Sequence, residues 1–206
     1  MDKHQKFWER VARLYTPLQE KTNRELYDRV IDRCRPYIRP DSHVLELGCG
    51  TGQFTFPLCG GCASWLATDF SPRMVEEGTR LNRTKAHFAV ADATNLPQAD
   101  GTFDVVLMAN VLHIMPDPEK ALREIHRVLK KDGVLLAPTF VYQGKINRAR
   151  LWVLERVGFK TFHKWTLREY GDFIAARDFA LLEAEIIPGE LLPEAFIAAK
   201  KADRAR

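Results

Sequence analysis

Three glycines at alternate positions, Gly48, Gly50 and Gly52, follow the short apolar run Val44-Leu45-Glu46-Leu47. Glycine tolerates positive φ and lets the main chain approach a ligand closely. If a helix starts just beyond, its free N–H groups and positive dipole end suit a carboxylate or a phosphate. Asp69 stands seventeen residues beyond Gly52, directly after a second apolar run, and Asp92 follows a third. An acid in the first of these places can accept hydrogen bonds from two ribose hydroxyls. One in the second can accept from an adenine amino group. A fourth run leads into Asn110-Val111-Leu112-His113. Each acid taken alone also reads as a cap or a surface group. Their placement after successive strands points to one shared site.

The spacing separates related chemistries. A dinucleotide fingerprint is G-x-G-x-x-G, whereas this turn is G-x-G-x-G, and the Gly-Lys-Ser/Thr ending of a phosphate-binding P-loop is missing. The pair Cys59-Gly60-Gly61-Cys62 has the spacing of half a zinc site or a redox couple. No matching CxxC or HxxxH follows it, and Cys34 and Cys49 stand at unrelated distances. The pair reads as two small residues beside a turn, and no metal site is expected.

The elements that must position these residues alternate. Strands are expected at Val44–Leu47, Ser64–Thr68, Ala86–Ala91, Phe103–Ala109 and Val134–Ala137. Helices are expected from about Gln53, from Pro72 behind the cap Ser71, and over Pro118–Lys130, ending at Asp132-Gly133. The near-continuous apolarity of Phe103–Ala109 suits a central parallel strand. Strand and helix alternating in this way indicate a doubly wound α/β sheet covered on both faces. Residues 166–179 read as a helix. Leu181–Ile187 and Ala195–Ala199 then read as two strands joined across Pro188-Gly189, a link too short for a parallel pair. The sheet is therefore mostly parallel and closes on an antiparallel C-terminal hairpin. Residues 5–38 carry helical periodicity, interrupted at Pro17 and ended by Pro36 and Pro40.

The 206 residues suffice for one domain with a sizeable core, and 28% charged with 46% hydrophobic residues is ordinary for a folded chain. No apolar run approaches the ~20 residues that cross a bilayer, and the opening Met1-Asp2-Lys3-His4-Gln5-Lys6 lacks a secretory apolar stretch, so a cytoplasmic location is expected. The net charge of +4 is uneven. Residues 1–40 carry ten Lys/Arg against six Asp/Glu, residues 41–140 nine against twelve, and residues 141–206 twelve against nine. A basic periphery around an acidic centre fits an anionic substrate or a membrane surface, or simply solvated helix faces. No dense basic run points to nucleic acid.

At this point the residues resemble those of class I S-adenosylmethionine (SAM) dependent methyltransferases, and among them the small-molecule branch that includes ubiquinone and menaquinone biosynthesis methyltransferases. Val44 to Gly52 is similar to the most specific motif of that family. Thr68-Asp69-Phe70-Ser71-Pro72-Arg73-Met74 resembles the second, Ala91 to Pro97 the third, and Phe103 to Val106 running into Asn110–His113 the fourth. Leu122 to Gly133 resembles the helix and turn that follow. The match is dense over residues 41–140 and loose elsewhere. It implies a Rossmann-like, seven-stranded SAM-binding domain over 41–206, with an N-terminal helical cap over 1–40 and a lid-like insertion around 141–178. It also implies roles. Gly48, Gly50 and Gly52, with Cys49 between them, would wrap the methionine part of SAM. Glu46 would order the loop or the amino group of the cofactor. Asp69 and the adjoining Phe70 would sit at the ribose and Met74 on the adenine. Asp92 and the Ala93 backbone would take the adenine edge, and the Asn110 carbonyl would lie near the methionine amino group.

The product would be S-adenosylhomocysteine, and the acceptor an O, N, C or S atom of a small apolar or anionic molecule. A base is needed only if the acceptor holds a proton. His113 is the first candidate, since its ordinary pKa suits neutral pH; it reads equally as a helix-start or core histidine. Tyr15 would line the substrate pocket from the N-terminal helix, or simply pack. His163, between Phe159, Phe162 and Trp165, lies in an aromatic and basic stretch that reads either as part of a lid or as ordinary packing. Three other functions remain open: a non-catalytic SAM-binding protein, a peripheral phospholipid methyltransferase and an NAD-dependent oxidoreductase. Glycine spacing and the second acid disfavour the last. A monomer and a homodimer are both compatible with the sequence.

Overall fold

A computed structural model describes residues 24–143, 161–190 and 192–202. Eight strands form one sheet: β1 (His43–Leu47), β2 (Ser64–Asp69), β3 (His87–Val90), β4 (Phe103–Leu107), β5 (Leu129–Leu136), β6 (Thr139–Phe140), β7 (Phe179–Ile187) and β8 (Glu194–Lys201). Their order is β3-β2-β1-β4-β5-β8-β6, with β7 also paired to β8. The pairs β1–β2, β1–β4, β2–β3 and β4–β5 are parallel. Those of β8 with β5, β6 and β7 are antiparallel, as expected for the C-terminal hairpin.

The sheet has one strand more than the seven expected, because β6 is a continuation of β5 beyond a break. β5 pairs with β8 up to Leu136 opposite Ala198, and β6 resumes at Thr139 opposite Ala195. Pro138 lies between them and has no N–H to give to the ladder, so the strand breaks there. The freed carbonyls are used at once. Ala137 O accepts the Tyr170 hydroxyl at 3.0 Å, and Pro138 O accepts the Asn110 N–H at 2.8 Å.

Period-two alternation sends neighbouring strand residues to opposite faces. Val44, Trp65, Ala67, Val105 and Leu107 enter one core with a helix over 24–34 (α1) and a four-residue helix α2 (Thr55–Leu58). The next helix, α3 (Pro72–Leu81), packs so closely there that a Cβ on its Gly78 would fall 2.5 Å from Phe88 Cε1. Leu45, Leu47, Val106 and Leu135 enter the other core, with α4 (Pro118–Val128) and α5 (Leu167–Ala175).

Helix starts follow the cap residues. The Ser71 hydroxyl accepts from Met74 N–H, Asp117 accepts from Lys120 N–H, and Thr166 forms a reciprocal box with Glu169. Boundaries differ from the sequence reading in several places; the helix read over 166–179 ends at Ala175, and β7 starts at Phe179 rather than Leu181. The helix expected from Gln53 is only Thr55–Leu58, running into a 3-10 turn over Cys59–Gly61 at the Gly60-Gly61 pair. α4 stops at Val128 rather than at Asp132-Gly133, because Leu129 already pairs with Phe103. The excess residues before Val134 then bulge out of β5, with Asp132 at φ 69°.

Replacing Tyr170 by Phe keeps the ring in place and leaves the buried Ala137 carbonyl without its donor. A destabilisation of about 1–3 kcal/mol is expected in denaturant unfolding, with an unchanged far-UV spectrum.

Candidate functional site

The carboxyl ends of β1, β2 and β4, together with the segment after β3, converge on one cleft. Its larger part, of 560 Å³, is walled by residues that include Gly48, Phe70, Asp92, Ala93, Val111 and Met115. An adjoining recess of 70 Å³ lies between Gly48, Gly50, Asp69, Met74 and Asn110.

The glycine turn shapes this recess. Gly48, Gly50 and Gly52 have φ of 70°, 54° and 102°, a region that L side chains enter at a cost of about 1–2 kcal/mol. At Gly48 the space is also closed, since a Cβ would lie 2.3 Å from Val111 Cγ2. Cys49 N–H donates to Thr68 O at 2.9 Å and carries the β1–β2 ladder one step further. Gly50 N–H then donates to Asp69 Oδ2 at 3.0 Å, while Ser71 N–H donates to Asp69 Oδ1 at 2.8 Å. One buried carboxylate thus ties the turn after β1 to the turn after β2. A carboxylate offers about four acceptor positions. Backbone N–H groups of Gly50, Ser71 and Phe70 address it, which leaves room for a further donor entering the cleft.

Asp92 is placed by its own turn. Its Oδ1 accepts from both the N–H and the hydroxyl of Thr94, each at 2.8 Å. Oδ2 accepts from no described residue. The loop behind it is held by Arg127, whose guanidinium donates to Leu96 O at 2.9 Å and Gln98 O at 2.7 Å. Glu124 accepts from Leu96 N–H at 2.8 Å. Phe70, directly after Asp69, keeps 39% of its surface open at the mouth of the cleft. Met74 lies buried beneath the recess.

Asn110 adopts φ 58°, unusual for a residue with a side chain. It is held there by its N–H on Pro138 O and by its amide, which donates to Glu194 Oε1 at 2.8 Å. Together these features give a site with main-chain donors, two carboxylates at fixed positions and apolar walls.

Residues 45–137 match the family model of a methyltransferase domain. That span, just under half of the chain, is similar to methyltransferase domains. Over 101 residues it is 38% identical to the demethylmenaquinone methyltransferase of Renibacterium salmoninarum, an alignment that covers 49% of this chain and 42% of that relative. The other curated relatives are likewise matched over less than half of their own length. Among solved structures, a chain from the complex of the Haloferax volcanii Trm112 methyltransferase activator with a methyltransferase aligns with a TM-score of 0.84, 18% identity and coverage of 99% of this chain and 100% of that one. A SAM-dependent methyltransferase of Thermotoga maritima aligns at 0.75 with 24% identity, over 95% and 98% of the two chains. At these identities the structural matches establish the fold.

Within the matched span, eight of the residues singled out by sequence line the cleft: Gly48, Gly50, Asp69, Phe70, Met74, Asp92, Ala93 and Asn110. Cys49 and Gly52 shape the turn from behind. Glu46 shares the face of Val44 and points into the core, where its Oε2 accepts from the Thr55 hydroxyl at 2.5 Å and Trp65 Nε1 at 2.8 Å. It orders the base of the turn rather than lining the cleft. His113 also stays out of the cleft. It is buried, its Nδ1 lies 2.8 Å from the Thr139 hydroxyl, and its ring meets Phe140 edge-on. Burial, aided by the charge of His163, pushes its pKa down to about 3, which disarms it as a base at neutral pH. His163 stacks on Trp165 at 4.7 Å, and the N–H groups of Phe162 and His163 both donate to His113 O. Tyr15 and Phe159 lie outside the described residues. Cys59 and Cys62 are buried, with Cys62 Sγ donating to Cys59 O and to Ser64 O. Sequence reasoning missed the Val111, Ile114 and Met115 wall, and Glu194. An acid opening an apolar strand was the one available signal for Glu194.

Two predictions follow from this geometry. Gly48→Ala forces both positive φ and a clash with Val111, and a loss of more than about 1–2 kcal/mol is expected in chemical denaturation. The second concerns pH. Burial lifts the carboxyls of Glu46 and Glu194 to about 7 and that of Asp69 to about 6, from ordinary values of 4.5 and 3.8. The folded state therefore holds these protons more tightly than the unfolded chain, and stability falls as pH rises through those values. His113, whose pKa is depressed, opposes this trend only below its ordinary 6.5. The melting temperature is expected to drop as pH rises from 6.5 through 7, and Glu46→Gln is expected to flatten that slope. A melting temperature that climbs over this range contradicts the assignment.

Proposed function

We propose that this chain binds SAM in the cleft and transfers its methyl group to an O, N, C or S atom of a small molecule. The observation that carries the reading is the Asp69 carboxylate. It is fixed by Gly50 and Ser71 N–H groups at 3.0 and 2.8 Å and retains acceptor capacity toward the recess. In this reading Asp69 receives the ribose hydroxyls, and Phe70 and Met74 flank the nucleoside. Asp92 Oδ2 and the Ala93 backbone take the adenine edge. The turn Gly48–Gly52 surrounds the amino-acid end, next to the main chain of Asn110. Two observations support this reading: the recess bounded by Gly48, Gly50, Asp69 and Asn110, and the buried Asn110 Oδ1, which has no partner.

When bound, SAM supplies a methyl group already activated on a sulfonium. The contribution of the chain is then orientation. Holding the two reactants in line lowers a barrier by roughly 7–11 kcal/mol when the geometry is right. The rigid frame for it is Asp69 joining two turns and Arg127 holding a third. With His113 set in the core and disarmed, no proton transfer is assigned to it. The helix over 24–34 stands beside the turn, packing Tyr27 on Phe54 at 5.4 Å. We assign substrate contacts to the segments flanking the domain, 1–40 and 141–178. The acceptor is a small apolar or anionic compound in this reading. No helix among the described residues is long and apolar enough to cross a membrane.

Calorimetry tests the proposal. SAM is expected to bind and NADH not to. Asp69→Ala is expected to weaken SAM by at least about tenfold, or about 1.4 kcal/mol. Asp92→Ala, at an exposed position, should weaken it without moving the melting temperature. Equal SAM binding by the wild type and Asp69→Ala would refute the role of Asp69. Absence of methyl transfer from labelled SAM to any cell extract would leave a binding protein in place of an enzyme.

A further inference from the structure

Asn110 and Glu194 meet where β4 ends and β8 begins, beside the recess that Asn110 lines. Glu194 is 0% exposed, and no cation among the described residues pairs with it. After the single bond from Asn110 Nδ2 to Glu194 Oε1, two acceptor oxygens remain without partners: Glu194 Oε2 and Asn110 Oδ1. A buried acceptor without a donor costs about 1–3 kcal/mol. Two of them on one bonded pair call for an explanation. Turning the Asn110 amide over would only exchange which end faces Glu194 and leave the other end orphaned. The local backbone does not supply the missing donor, since Asn110 N–H is already committed to Pro138 O.

The chemistry of a ligand that completes this pair is constrained. It must bring hydrogens to two oxygens, which excludes a carboxylate or phosphate. It must also offset the charge that Glu194 carries once it ionises, near pH 7, which a neutral hydroxyl does not do. A protonated amine does both, with three N–H donors on one positive centre. Burial lifts the Glu194 carboxyl to about 7, the direction expected of an acid that lacks its cation.

We propose that Asn110 and Glu194 form an ammonium-binding subsite directly behind the recess that Asn110 lines. This rests on the SAM reading above. The ammonium has two possible sources, the amino-acid end of the cofactor or an amine-bearing methyl acceptor, and one experiment separates them.

Wild type and the near-isosteric Glu194→Gln are titrated with S-adenosylhomocysteine, with 5′-methylthioadenosine, which lacks the amino-acid end, and with propylammonium added to protein saturated with S-adenosylhomocysteine. Melting curves verify that the variant folds. If the cofactor supplies the ammonium, Glu194→Gln weakens S-adenosylhomocysteine by at least about tenfold and leaves methylthioadenosine within about twofold. If the acceptor supplies it, both nucleosides bind the two proteins alike and only wild type takes up propylammonium. Either result supports the subsite. Equal binding of all three ligands by the two proteins overturns it while leaving the SAM reading intact. Equal weakening of both nucleosides also overturns it, since the effect is then a general one on the pocket. A wild type that binds neither nucleoside overturns the SAM reading and this inference with it.

Discussion

A buried carboxylate that bonds to main chain on both sides is the constraint on which the site depends. Asp69 closes β2, and its two oxygens receive the N–H groups of Gly50 and Ser71. The turn after β1 and the start of α3 therefore cannot move independently. Charge-assisted bonds of this kind are roughly twice as strong as neutral ones. Burial opposes them by lifting the acid toward 6. The molecule tolerates that opposition because the alternative is a glycine turn with free conformational choice. Glu46 repeats the device one layer down, binding Thr55 and Trp65 at the base of the same turn.

The remaining wall is built with less electrostatic cost. Arg127 reaches from α4 to the loop after Asp92 and holds it through carbonyls rather than through side chains. Its charge is balanced by Glu124 and Asp100. An arginine fork bonded to several acceptors loses less freedom per bond than a lysine would. The Asp92 end of the cleft is thus framed by α4, and the glycine-turn end by the carboxylate clamp.

The alternation of strands with helices and the acids at strand ends were legible because parallel strands carry an unbroken apolar signature and end abruptly at polar residues. Asp69, Asp92 and Asn110 could therefore be assigned to one edge before any coordinates. The glycine turn was legible for the same local reason. Boundaries set by pairing were not. β5 begins at Leu129 because Phe103 is opposite it, and a sequence window does not contain its partner strand. His113 looked available because it follows a strand, yet the short 3-10 turn over Leu112–Ile114 turns its ring away from the cleft and buries it against Thr139 and Phe140. Glu194 was invisible for a related reason. Its significance arises only when an antiparallel strand brings it beside Asn110, 84 positions away.

Pro138 shows how an absent group can organise its surroundings. Lacking an N–H, it interrupts the strand, and two successive carbonyls are released from the ladder. One is taken by the Tyr170 hydroxyl of α5 and the other by the main chain of Asn110. The last helix and the inner wall of the cleft therefore hang from adjacent peptide units. A displacement of α5 by a fraction of an ångström is transmitted to Asn110 through one rigid peptide plane, without passing through any side chain of the cleft itself.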